Sequence, residues 1–298
     1  MIYDCFIFFN ELELLELRLH ELSGVVDKFV LLEATRTFSN QPKPLYYQEN
    51  RGRFAKFADK IIHVVVNDSP DTSDAWEVQR VQRNCIARGL THCRPDDWVL
   101  VSDLDEIPRA TAVENVTREI PFHDNFFSNC LHSALNSRAV KSVFHRRGFR
   151  RRLRHNHPFV WKYEQTLHRY FLNCVSTKPA FWHGTRMMRF RDFSCAEEMR
   201  YSGYKIVRDG GWHFTWMGGV ERILKKVQSI SAHREINRPQ FTDPDRIKKL
   251  IESGRYVFGD SPKLKFVPID ETFPHYVLEH PEVFSSWIRP VENDPGRA

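Results

Sequence analysis

Asp97-Trp98-Val99-Leu100-Val101-Ser102-Asp103-Leu104-Asp105-Glu106-Ile107-Pro108 is the stretch whose reading decides the fold. Its apolar, valine-rich opening has the length and composition of a buried strand over Asp97–Ser102. Three carboxylates then arrive within four residues. Like charges so crowded repel, and burying them without partners is costly, so the arrangement implies a cation among them. If the extended geometry persists, Asp103 and Asp105 project to the same side. Two hard carboxylates suit Mn²⁺ or Mg²⁺, which keep positions open for phosphate oxygens. A solvated acidic turn is the alternative.

Working outward towards the N-terminus, three more strand patterns precede this one. Ile2–Phe9 is an apolar run that reads as a buried strand, followed by Asn10 as an N-cap with Glu13 completing a capping box. Leu12, Leu15, Leu19 and Leu22 recur at helical spacing through Glu11–Leu22. Asp27–Glu33 and Ile61–Val66 are further strands, separated by a Pro42/Pro44 loop and a short helical stretch near Glu49–Phe57. Ala75–Leu90 reads as a helix stopped near Gly89. Alternating strands and helices predict an α/β, Rossmann-like sheet of parallel units with helices on both faces, and ligands at the carboxyl ends of the strands.

Beyond Pro108 the pattern loosens. Helices are expected at Thr111–Glu119, Arg222–Glu235 and Asp245–Ser253, with a proline-rich tail from Pro262. Neither a repeat nor an interdomain linker is evident. The expectation is one catalytic domain over 1–298: a nucleotide-binding half (1–108), an acceptor and active-site half (109–260) and a C-terminal wrap (261–298).

Composition narrows the function classes. With 41% hydrophobic and 13% aromatic residues, 298 residues can bury a core without disulfide or metal staples, which excludes fibrous and low-complexity readings. Six cysteines show no metal-ligand spacing. With neither a signal-peptide pattern nor an apolar run long enough to span a bilayer, the expectation is a cytoplasmic protein with free thiols, or one trimmed of an anchor. The net charge of +6 is concentrated between Arg138 and Arg154, where eight basic residues meet no acid. That run suits phosphate, nucleic acid, anionic lipid or an acidic substrate, or is a solvated loop.

A second stretch, Asp209-Gly210-Gly211-Trp212-His213-Phe214-Thr215-Trp216-Met217-Gly218-Gly219-Val220-Glu221, brackets two tryptophans and a histidine with glycines. Glycine lets backbone approach a ligand, and Trp212 offers a flat face for a sugar or base. His213 is a candidate third metal ligand or a core histidine. Glu221 opens a helix, either complementing its dipole or acting as general base, with Asp209 as the second candidate. Arg80 and Arg83 could face a diphosphate or simply be solvated.

Two enzyme classes place paired aspartates directly after a strand: haloacid-dehalogenase-type phosphatases, after their first strand, and nucleotide-sugar transferases of the GT-A type, after a later one. Three preceding strands, and Ile107 where the phosphatase motif has Thr or Val, favour the transferase.

YDCFIFFNELELLELRLHEL, DKFVLLEATRTF, PKPL, VSDLDEIPR and GGWHFTWMGG with the downstream SAHRE together resemble glycosyltransferase family 17. The resemblance touches residues 1–50, 76–109 and about 205–237, in family order. It implies a GT-A fold, Mn²⁺ (or Mg²⁺), a UDP-sugar donor such as UDP-GlcNAc, and inversion at the anomeric carbon. Asp103 and Asp105 match the family's DxD with Glu106 beside them, His213 its GWH histidine, and Glu33 an acid expected near the nucleotide. Gly218-Gly219-Val220-Glu221 is similar to the Gly-Gly-Glu-Asp turn of other inverting enzymes of this fold, and His233 is an alternative metal ligand. The implied function is metal-dependent transfer of a sugar, GlcNAc foremost, to a glycan acceptor, an acidic or lipid-linked one being compatible with the basic run. The alternatives are a metal-dependent phosphohydrolase using the same aspartates, or a nucleic-acid-binding protein through Arg138–Arg154, which would leave both chemistry-bearing stretches unexplained.

Overall fold

β1 (Ile2–Phe8) is buried at every position after Ile2, and β2 (Lys28–Ala34) at every position after Lys28. Strands covered on both faces need no polar alternation, which is why both read as continuous apolar runs. Successive residues feed different cores. Phe6, Phe8, Phe29 and Leu31 meet Leu15, Leu19 and Leu22 of α1 (Leu12–Leu22) on one face. Cys5, Ile7, Val30 and Leu32 meet Ile86, Leu90 and Ala196 on the other. That period of two is what builds a helix–sheet–helix sandwich.

The computed structural model describes residues 1–118, 160–203, 205–258 and 263–291. The basic run Arg138–Arg154, its proposed partners, and Cys130 lie outside the described residues. β3 (Ile61–Val66) and β4 (Trp98–Asp103) complete a parallel array in the order β3-β2-β1-β4. The expected α/β class is the one observed, consistent with a GT-A-type fold. Beyond β4 the sheet becomes mixed: β9 (Arg186–Arg189) is antiparallel to β4 and to β6 (Val160–Arg169). β10 (Lys205–Thr215) runs parallel to β6 and antiparallel to the short β5 (Glu106–Pro108). β7 (Cys174–Ser176), β8 (Phe181–Trp182) and β11 (Leu264–Phe266) extend the same sheet.

The remaining helices are α2 (Tyr46–Glu49), α3 (Ala75–Asn84), α4 (Ala110–Arg118), α5 (Ala196–Arg200), α6 (Gly219–Ser229), α7 (His233–Ile236), α8 (Pro239–Thr242), α9 (Pro244–Glu252) and α10 (His275–Glu279). Two expectations fail here. α1 begins at Leu12 with Glu11, not Asn10, at the cap position and no side-chain cap bond, and Glu13 forms a two-point ion pair with Arg222 at 2.8 and 2.9 Å instead of closing a capping box. The helix expected over Arg222–Glu235 breaks at Ile230, whose extended ψ of 166° separates α6 from α7. Asp243 does cap α9, accepting from the Asp245 and Arg246 amides ahead of Pro244 at the first turn. Among the described residues no helix is long and apolar enough to cross a membrane, and Cys5, Cys85, Cys93, Cys174 and Cys195 are free thiols.

Candidate active site

A cavity of about 310 Å³ opens at the carboxyl ends of the parallel strands, between the residues that follow β1 and those that follow β4. In the order β3-β2-β1-β4 the chain leaves these neighbouring strands in opposite directions, so their loops diverge and a crevice remains. Asp103, Asp105 and Glu106 line it from one side, His213 and Thr215 from β10, and Lys226 from α6.

β4 does not continue through the acids, as the shared-side expectation for Asp103 and Asp105 required. It ends at Asp103, Leu104-Asp105 turns, and β5 begins at Glu106. The cause is Arg18 of α1, fully buried, whose Nη1 donates to the carbonyls of Asp103 (3.0 Å), Leu104 (3.2 Å) and Glu106 (3.0 Å). The turn therefore sends the two aspartates to different partners.

Asp103 is clasped by Arg83 of α3 and Arg200 of α5, each at 3.1 Å. Asp105 accepts from Lys226 Nζ at 2.9 Å and lies 3.7 Å from His213 Nε2. Glu106, only 1% exposed, takes both guanidinium nitrogens of Arg200 (2.6 and 2.8 Å), the Trp182 indole N–H (2.6 Å) and the Asp103 amide (2.8 Å). The repulsion between crowded acids is thus relieved by the chain's own cations. Burial would raise the Glu106 carboxyl, but Arg200 overrides it and holds it at about 2. Burial likewise opposes ionisation of Asp105, yet Lys226 and His213 keep it well below the usual carboxylate range. Asp105 in turn holds the Lys226 ammonium above its ordinary value despite burial.

The other sequence-derived candidates divide. His213 reaches the cavity while Trp212 does not, because adjacent β10 residues face opposite sides. Trp212 is 3% exposed in the core, its indole N–H bonded to the Thr272 carbonyl at 2.9 Å and its ring under the Arg109 guanidinium. The neighbouring glycines serve backbone packing rather than a ligand: Gly211, at φ +132°, presses on the Ile107 carbonyl, where a Cβ would overlap it. Glu33 lies beneath the site, fully buried, accepting from the Tyr47 amide (2.9 Å) with His63 Nε2 at 3.0 Å. Arg80 is exposed on α3, 3.7 Å from Glu77, and is not among the residues lining the cavity. Asp209 is exposed and paired with Arg109 at 3.1 Å; Glu221 is exposed in the first turn of α6. Neither lines the cavity. The side chain of His233 lies outside the described residues.

Asp105 and His213 are the two proposed metal ligands that come together. Among the described residues no third His, Cys, Asp or Glu joins them to form a protein-only cage. A carboxylate and an imidazole nitrogen, Nε2, that face each other at 3.7 Å in the cavity wall nonetheless fit Mn²⁺ or Mg²⁺. Such ions are commonly held by one or two side chains, with substrate phosphates completing the shell.

Arg18, Lys226, Arg200 and Trp182, which hold the acidic turn of the candidate site, were not singled out from the sequence as its partners. Lys226 carried a signal, since it lies one turn after Arg222 and both face acids of the β1–α1 region, Glu11 and Glu13. Arg200 and Trp182 come from segments with little periodicity to read.

Residues 1–132 match the family model of Glycosyltransferase family 17. That segment carries β1 to β5 and so the acidic turn itself. The chain is also similar to the β-1,4-mannosyl-glycoprotein 4-β-N-acetylglucosaminyltransferases of Rattus norvegicus and Homo sapiens. It is 24% identical to the rat protein over 96% of this chain and 54% of the relative. It is 25% identical to the human protein over 92% of this chain and 52% of the relative. The chain spans about half the length of the curated relatives it matches. The family 17 resemblance read from the motifs is thus found independently over the strands that frame the cavity.

Proposed function

We propose that this chain is an inverting N-acetylglucosaminyltransferase that moves a sugar from a UDP-sugar, UDP-GlcNAc foremost, to a glycan acceptor. One observation carries the reading. The acidic turn within the family-matched segment lines a cavity at the strand ends where a nucleotide-binding sheet takes its ligand, with His213 and Lys226 brought to it from the C-terminal half. The names of the relatives support N-acetylglucosamine as the sugar and a mannosyl-glycoprotein glycan as the acceptor class.

In this reading an acceptor hydroxyl oxygen attacks the anomeric carbon as the carbon–oxygen bond to the diphosphate breaks, the electron pair leaving with UDP. The hydroxyl proton passes to a cavity carboxylate. Glu11 suits that role: it lines the cavity with Lys226 Nζ no nearer than 3.7 Å, whereas Asp103 and Glu106 are each clasped by arginine at 3.1 Å or less. Asp105 and His213 would hold a divalent ion, whose chemistry is to neutralise charge at the diphosphate. Lys226 adds a positive charge beside Asp105.

The test is to incubate the chain with UDP-GlcNAc, Mn²⁺ and a mannosyl-core glycan, reading UDP release and product mass. Transfer adding one N-acetylhexosamine is expected. Phosphate release from simple esters with no use of a nucleotide sugar would return the aspartates to the phosphohydrolase reading.

A further inference from the structure

Lys43, in the Pro42-Lys43-Pro44-Leu45 stretch, has no role so far. Its position is fixed by a short loop at the carboxyl end of β2. The Lys43 amide donates to the Thr35 carbonyl at 2.9 Å, Thr37 N to Gln41 O at 2.8 Å, and Arg36 pairs with Pro42 in an antiparallel bridge. This folds the chain back so that Lys43 lines the cavity with its side chain only 5% exposed.

Its ammonium is poorly satisfied there. Among the described residues its one hydrogen bond is to the Pro44 carbonyl, at 3.2 Å. The nearest carboxylate oxygen, Glu33 Oε1, is 3.9 Å away and is already taken by the Tyr47 amide. The rings of Phe9 and Tyr46 lie 5.7 and 5.4 Å from Nζ and offer only their π-faces. Burial lowers the Lys43 ammonium to about 8, against the opposing pull of Glu33, Glu11 and Glu49 and with the push of Lys225. A buried ammonium with unused donors is an expensive group unless an anion completes it. The other cations lining this cavity are differently engaged, Lys226 donating to Asp105 and Arg36 to the Asn40 carbonyl.

We propose that Lys43 is a phosphate-binding residue of the donor site, completing its hydrogen bonds on the diphosphate of the nucleotide, with Glu33 as the buried carboxylate that keeps it turned into the cavity. The assignment rests on the nucleotide-sugar reading of this cavity and deepens it. It also gives Glu33 a positioning role, acting through Lys43 instead of touching the nucleotide.

Calorimetric titration of the full chain in Mn²⁺ buffer at neutral pH with UDP and with uridine, which lacks phosphates, tests this. Lys43→Met is expected to weaken UDP by at least about tenfold while changing uridine by less than about twofold, because only a charge-assisted bond to phosphate is lost. Lys43→Arg keeps the charge and is expected to hold UDP within about threefold of the unmodified chain. Two results overturn the lysine assignment alone: UDP affinity unchanged in Lys43→Met, or UDP and uridine weakened equally. An unmodified chain that binds neither UDP nor uridine overturns the nucleotide reading itself, and this proposal with it.

Discussion

Arg18 and Asp4 form a two-point ion pair, Nε to Oδ2 at 2.7 Å and Nη2 to Oδ1 at 2.6 Å, with both side chains fully withdrawn from solvent. The remaining donors of the same guanidinium hold the Ser102 hydroxyl and the three carbonyls of the acidic turn. A charge on the first strand thus orients the arginine that shapes the site. Arg18→Met leaves Asp4 buried without its partner, a loss of about 3–5 kcal/mol. Urea unfolding should show that loss, and pairing it with Asp4→Leu should recover part of it.

Gly184 sits directly against Glu106. A Cβ there would overlap the Glu106 carboxylate, which is pinned by Arg200 and Trp182 and cannot retreat. Gly184→Ala should cost about 1–3 kcal/mol in thermal unfolding, the usual penalty of overpacking. UDP release should fall with it, since the Asp103 amide depends on the same carboxylate.

Metal binding separates the two aspartates of the motif. Asp105 and His213 face each other, whereas Asp103 is spent on two arginines. Manganese affinity in the presence of UDP, followed by electron paramagnetic resonance, should weaken at least about tenfold in Asp105→Asn and in His213→Ala. Asp103→Asn should move it less. Equal losses in all three would return Asp103 to the ligand set.

The proton acceptor can be located by a pair of amide substitutions. Glu11→Gln should lower turnover by about 100-fold or more if its carboxylate takes the hydroxyl proton. Glu221→Gln should stay within about threefold, since an exposed first-turn acid does little beyond complementing the helix dipole. The reverse ranking would restore Glu221 to that role.

His168 makes stability depend on pH. Burial lowers its imidazole to about 4, against the hydrogen bond its Nδ1 makes to the Leu172 carbonyl, with His213 pushing the same way as burial. An unfolded histidine titrates near 6.5, so the unfolded chain binds the extra proton first. The stability is therefore complete above about 6.5 and lost as pH falls towards 4, amounting to ~3 kcal/mol. His168→Asn should flatten the fall measured by urea unfolding between pH 7 and 4.5, whatever its cost at neutral pH.

Much of the N-terminal half was legible because its strands are buried on both faces and its helices carry a one-sided apolar stripe. Ile61–Val66 is bounded as expected, and the strands at Lys28–Ala34 and Trp98–Asp103 are displaced by a single residue. The Ala75–Leu90 helix was recognised, but its last turns tighten into a 3-10 helix over Cys85–Gly89. Of the two side chains left open there, His213 reaches the cavity and Trp212 goes into the core. The sequence contains that alternation, but which phase faces the core depends on the pairing of β10 with β5 and β6.

Local pattern determined the class of the fold, the position of the acidic turn at a strand end and the family resemblance, because each depends on residues adjacent in the chain. What those acids face was decided by tertiary structure alone. Arg18 lies about ninety residues before the turn it shapes, and Arg200 and Lys226 about a hundred or more after it. Charges separated so far along the chain become partners only when packing of the intervening strands brings them within a few ångströms, where low dielectric makes the pairing strong.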